Sequence, residues 1–121
     1  MPKNVYVIED NAKNMKLFKA ILKLIPDVEM FTETRGDLGL ELIKSGDPDL
    51  LILDIQLPEI SGIEIAKELR KLDKFKDVPI IAVTSFAMKG DKERILEAGV
   101  NEYVAKPIKV QDFRELVKSM L

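Results

Sequence analysis

Apolar and polar positions along this chain follow two alternating periods. Short runs of consecutive apolar, often β-branched residues recur at Val5-Tyr6-Val7-Ile8, at Val28 to Thr32, at Leu50-Leu51-Ile52-Leu53, at Pro79-Ile80-Ile81-Ala82-Val83 and, more briefly, at Glu102-Tyr103-Val104-Ala105. Runs of this length and composition predict buried strands. Between them, apolar residues return every three or four positions, the period of an amphipathic helix. Met15, Phe18, Leu22 and Ile25 mark a first helix from about Asn11 to Leu24, ended by Pro26-Asp27. Leu38, Leu42 and Ile43 are the expected core face of a second, Gly36 to Lys44, followed by the turn Ser45-Gly46-Asp47-Pro48. A third, from about Ser61 to Leu72, offers Ile63, Ile65, Ala66 and Leu69. The fourth, about Lys89 to Ala98, stops at Gly99, which suits a left-handed C-terminal cap. The last spans Val110 to Met120 with Phe113, Leu116 and Val117 inward.

Five βα units in alternation imply an α/β fold, a five-stranded parallel sheet doubly wound with helices on both faces and right-handed crossovers. The first, third and fourth strands are the most apolar and are expected at central, doubly covered positions. No linker, repeat or low-complexity stretch interrupts the pattern, so the expectation is one domain over residues 1–121 without an output domain.

Composition narrows the chemistry. A net charge of -2 argues against a nucleic-acid-binding surface, and the Lys-rich segment Lys71 to Lys76 is broken by Asp73 and reads as a solvated helix end. There is no cysteine and no histidine, which removes disulfides, thiolate metal sites, catalytic triads and the commonest zinc ligands. No apolar segment is long enough for a signal peptide or a membrane span, so a cytoplasmic location without membrane contact is expected. Reactions must run on Asp, Glu, Lys, Thr, Ser or Tyr.

In a sheet of this kind the chemistry collects beyond the carboxyl ends of the strands. The first strand ends at Glu9-Asp10, the third at Asp54, the fourth at Thr84-Ser85 and the fifth at Lys106-Pro107. Each alone has a bland reading as a helix cap or surface charge. Four strand ends carrying ionisable or hydroxyl groups at one edge are poorly explained that way. Asp54 is the sharpest case, because it closes an unbroken apolar run and Pro58 and Gly62 force the chain to turn soon after it. Three crowded carboxylates repel, and a hard divalent cation relieves them most simply. Magnesium, with manganese as a substitute, suits Asp10 and Asp54, with Glu9 acting through water. Lys106 adds a fixed positive charge and Thr84 a hydroxyl donor. Together these groups form a pocket for three phosphoryl oxygens, in which Asp54 is placed to become an aspartyl phosphate.

The acidic pair Glu9-Asp10, Asp54 with its Leu57-Pro58-x-x-x-Gly62 sequel, Thr84 and Lys106-Pro107 resemble, in order and spacing, the receiver domains of two-component response regulators. Glu9-Asp10-Asn11-x-x-Asn14-Met15-Lys16-Leu17, Asp54-Ile55-Gln56-Leu57-Pro58-Glu59-Ile60-Ser61-Gly62 and the stretch from Thr84 through Phe86-Ala87-Met88-Lys89-Gly90-Asp91 are most like that family's single-domain members. The resemblance implies a flavodoxin-like strand order of 2-1-3-4-5. It implies magnesium on Asp10, Asp54 and the Gln56 carbonyl, and a cis Lys106-Pro107 peptide. It also implies that the phosphoryl donor is a histidine on a partner kinase or phosphotransfer protein, and that the domain is a phosphoacceptor, not a stand-alone enzyme. A receiver excised from a hybrid histidine kinase or a larger regulator is the alternative within the family.

A switch is expected as well. Phosphate would draw the Thr84 hydroxyl inward, and Tyr103, on the edge strand near the fourth helix, would fill the vacated space. The readout would be the face made by the fourth helix, fifth strand and fifth helix, through a kinase, an onward phosphoryl relay or a homodimer, with Phe86 and Met88 as contact or core residues. Two other functions fit less well. A phosphatase using a strand-end Asp nucleophile needs a second acid two residues on, where this chain has Gln56. A flavin- or nucleotide-binding module needs Gly and hydroxyl residues after the first strand, where this chain has Glu9-Asp10-Asn11-Ala12.

Overall fold

The computed structural model describes residues 2–85 and 91–121. Phe86, Met88 and the expected start of the fourth helix at Lys89 lie outside them. Within them five parallel strands, β1 (Lys3–Ile8), β2 (Val28–Glu33), β3 (Leu50–Asp54), β4 (Ile80–Thr84) and β5 (Glu102–Ala105), form one sheet in the order β2-β1-β3-β4-β5. The connections carry α1 (Ala12–Lys23), α2 (Gly36–Lys44), α3 (Gly62–Arg70) and α4 (Asp91–Glu97), and α5 (Val110–Met120) follows β5. This is the doubly wound α/β architecture expected from the pattern.

Strand alternation divides the core in two. Tyr6, Ile8, Leu51, Leu53, Ile80 and Ala82 point to one face and pack with Ile43, Ile65, Leu69 and Ile95 of α2, α3 and α4. Val5, Val7, Leu50, Ile52, Ile81 and Val83 point to the other and pack with Phe18, Ile21, Phe113 and Val117 of α1 and α5. Both faces of β3 and β4 are therefore covered, which is why these strands read as unbroken apolar runs.

Three details differ from the sequence reading. Leu38 is half exposed, and α2 instead buries Gly39, Leu40 and Ile43, with Leu42 only partly covered. Gly39 seats α2 against Ile8, so the inner face is rotated relative to that expected from the leucines alone. The third helix stops at Arg70, and a 3-10 turn, Asp73–Phe75, buries Phe75 below it. Finally, Asn11 caps α1, its side chain accepting from Asn14 N, so neither acid of the Glu9-Asp10 pair serves as that cap.

Candidate functional site at the carboxyl edge of the sheet

The parallel register brings the ends of β1, β3, β4 and β5 level, and with them the residues singled out above. Asp54 closes β3 with a carboxylate that is 3% exposed. Its Oδ1 accepts the Gln56 backbone N–H at 3.0 Å, and its Oδ2 lies 3.3 Å from the Lys106 ammonium. Glu9, directly after β1, is fully buried. Its Oε2 accepts the Asn11 N–H at 3.1 Å. Its Oε1 lies 3.0 Å from Lys106 Nζ, close enough for an ion pair, but is not aligned with any hydrogen-bond donor among the described residues. Asp10 is exposed, and carboxylate oxygens of Glu9, Asp10 and Asp54 lie within 4.8 Å of one another.

The charges are interdependent. Burial, and after it the neighbouring Asp54 carboxyl, push the Glu9 carboxyl up to about 7. Burial also acts to raise Asp54, but the neighbouring Glu9 carboxyl, the Gln56 N–H and Lys106 outweigh it and hold Asp54 below the ordinary Asp value. The two carboxyls therefore titrate as a pair, with Glu9 raised and Asp54 lowered. Burial works against the Lys106 charge, yet the two carboxylates keep the ammonium above its usual value.

Three clustered carboxylates, one with a buried oxygen lacking a hydrogen bond and one open to solvent, are the donor set a partly hydrated hard divalent cation requires. One lysine for three acids leaves room for that charge.

The remaining residues are placed as follows. Thr84 ends β4, buried, and its carbonyl accepts the Lys106 N–H at 2.8 Å. The Lys106-Pro107 peptide is cis. Gln56 lies in the β3–α3 loop, and its side-chain oxygen accepts the Ser85 N–H at 3.3 Å, linking the loops after β3 and β4. Tyr103 sits on β5 opposite Ala82, half-buried against the α2–α3–α4 face of the core, and is not part of the carboxylate cluster. A groove of about 700 Å³ along Leu40, Ile60, Glu64, Arg70 and Glu97 lies outside the acidic cluster.

Two local devices went unread in the sequence. Ser61 caps α3 by accepting from Glu64 N, and the Ser61-x-x-Glu64 spacing is a signature that reveals such a cap. A Cβ on Gly62 would run into the Asp54 carbonyl, so Gly62 lets α3 start directly against the end of β3. The motif marks Gly62 as a turn; only the packing shows what it touches.

The model of the response regulator receiver domain matches residues 5–118. The chain belongs to this family. As a receiver domain it is 46% identical to the polar-differentiation response regulator DivK of Brucella anthropi, over 100% of this chain and 98% of that protein. Its fold superposes with a TM-score of 0.89 and 28% identity on the receiver domain of the sensor histidine kinase PA1611 of Pseudomonas aeruginosa, covering 99% and 98% of the two chains. That crystal structure has a magnesium ion coordinated in its active site cleft. The chemotaxis protein CheY4 of Vibrio cholerae, at 20% identity, shares the receiver fold with a TM-score of 0.91 over the whole of both chains. No helix among the described residues is long and apolar enough to cross a membrane.

Proposed function

We propose that this receiver domain takes a phosphoryl group onto Asp54 from a phosphohistidine of a partner histidine kinase or phosphotransfer protein. The observation that carries this reading is the placement of Asp54, a carboxylate buried at a strand end against the Lys106 ammonium and the Gln56 N–H. These 121 residues contain no histidine, so the donor lies outside them.

In the reaction an Asp54 oxygen forms a bond to phosphorus as the N–P bond breaks, and the imidazole nitrogen leaves with the electron pair and takes a proton from solvent. No side-chain base is required, because the nucleophile is already an anion. Lys106, now paired with Glu9 and Asp54, turns its ammonium to the arriving phosphoryl oxygens, and the Thr84 hydroxyl donates to another. Asp10, Asp54 and the Gln56 carbonyl would hold magnesium, or manganese in its place, with Glu9 acting through water, and the ion would neutralise phosphoryl charge. The domain assists its own phosphorylation and is not a stand-alone enzyme.

The signal leaves through Thr84 and Tyr103. Thr84 follows the phosphoryl group, Tyr103 moves into the space beside it, and the face of α4, β5 and α5 changes its affinity for a protein partner or a second copy. Incubation with acetyl phosphate and magnesium, read by intact mass, tests the acceptor reading. One added phosphoryl group, lost in Asp54→Asn and without magnesium, is expected; no added mass on a folded wild type contradicts phosphorylation by a small donor.

A further inference from the structure

Helix α2 starts at Gly36 behind Arg35, whose side chain makes no capping hydrogen bond. Helices leave their first N–H groups without intrahelical partners, and here the missing acceptor comes from a distant loop. Glu59, in the loop between β3 and α3, accepts the Gly36 N–H on Oε1 at 3.3 Å. Its other oxygen lies 4.0 Å from Arg35 Nε. Arg35 is itself held in a fork by Asp37, with contacts of 3.0 and 2.8 Å.

The backbones interlock at the same point. A Cβ on Gly36 would stand 2.6 Å from the Ile60 carbonyl oxygen, so only glycine lets the loop lie this close to α2. Followed back along the chain, the loop is fastened to the acceptor. Gly62 N donates to the Ile55 carbonyl at 3.1 Å, and Gln56 N holds Asp54 Oδ1. Residues 55–62 thus bridge the phosphoacceptor and the start of α2. Glu59 is the charged contact at the far end of that bridge.

We infer that Glu59 is a positioning residue for phosphoryl transfer. By capping α2 it pins the loop that presents the Gln56 N–H, and so fixes the orientation of the Asp54 carboxylate. The inference rests on the reading of Asp54 as acceptor. An exposed ion pair adds little to global stability, so the consequence falls on the placement of the loop. Small displacements of reacting groups are costly in rate.

The test compares wild type, Glu59→Ala and Glu59→Gln in three measurements: rate of phosphorylation by acetyl phosphate at saturating magnesium, amide hydrogen exchange of residues 55–62 without metal, and thermal midpoint. Glu59→Ala is expected to react about tenfold more slowly, on the order of what a sub-ångström misplacement produces. Exchange in the loop rises while the midpoint stays near wild type. Glu59→Gln, which keeps an acceptor oxygen for Gly36 N, recovers most of the rate. Reaction of Glu59→Ala at the wild-type rate, or a loss that follows the midpoint and is not rescued by Gln, overturns the positioning role alone. A folded wild type that takes no phosphoryl group from acetyl phosphate or from a phosphorylated histidine kinase overturns the acceptor reading, and this inference with it.

Discussion

Glu9 and Asp10 are adjacent in sequence and opposite in environment, one fully buried and the other exposed. Sequence marks both as acids after a strand. Which one turns inward depends on where the β1 chain leaves the sheet, and neighbouring side chains there point to opposite sides. The consequence is a division of labour, with Glu9 and Lys106 forming a charge cluster around Asp54 and Asp10 on the solvent side. Removing the lysine leaves two crowded, buried carboxylates without compensation. Lys106→Ala should therefore lose roughly 3 kcal/mol in metal-free urea unfolding, and less with magnesium present; no loss in metal-free buffer would show that the cluster is not held by this ion pair. Magnesium itself should stabilise the wild type, by about 2.7 kcal/mol at a hundredfold excess over its Kd. That increment should be largely absent in Asp10→Asn, and its persistence would remove Asp10 from the metal site.

At the scale of elements, strands were more legible than helix faces. Leu50 to Leu53 and Ile80 to Val83 are buried on both sides, and with Val5 to Ile8 they form the continuous apolar runs of the chain. Helix α2 shows why faces are harder. Its inner surface is set by Gly39 against Ile8, a contact that hydrophobic periodicity does not register, and Leu38 is left outside. The 3-10 turn that buries Phe75 was missed for a related reason, since Leu72 and Phe75 continue the spacing of α3 after its hydrogen bonds have ended. The α3 cap is local and open to measurement. Ser61→Ala removes the acceptor of the Glu64 N–H and should cost about 1 kcal/mol in urea unfolding. A cost near zero would mean that the close seating of Gly62 on the end of β3 fixes the helix start without the cap.

Across the whole molecule, a rigid two-faced core holds four strand ends in register, and the site is built from residues 9 to 106 with no single segment sufficient. That arrangement explains why order and spacing were informative: topology converts strand ends far apart in sequence into neighbours. In the proposed switch the signal passes from Asp54 through Thr84 to β5 and Tyr103. Phosphorylation should alter amide exchange along β5 and α5 in the wild type. Phosphorylated Thr84→Ala should lack that change, and an unaltered response would place the coupling outside Thr84.

In the proposed function the phosphoryl group is carried as an acyl phosphate at the end of β3. Borohydride reduces an aspartyl phosphate to homoserine and leaves hydroxyl-linked phosphates intact, so peptide mapping after reduction locates the group by its chemistry. Homoserine is expected at position 54 after treatment with acetyl phosphate and magnesium, and none when magnesium is omitted. Phosphate that survives reduction on Ser, Thr or Tyr, or homoserine at another aspartate with position 54 unchanged, would contradict that function.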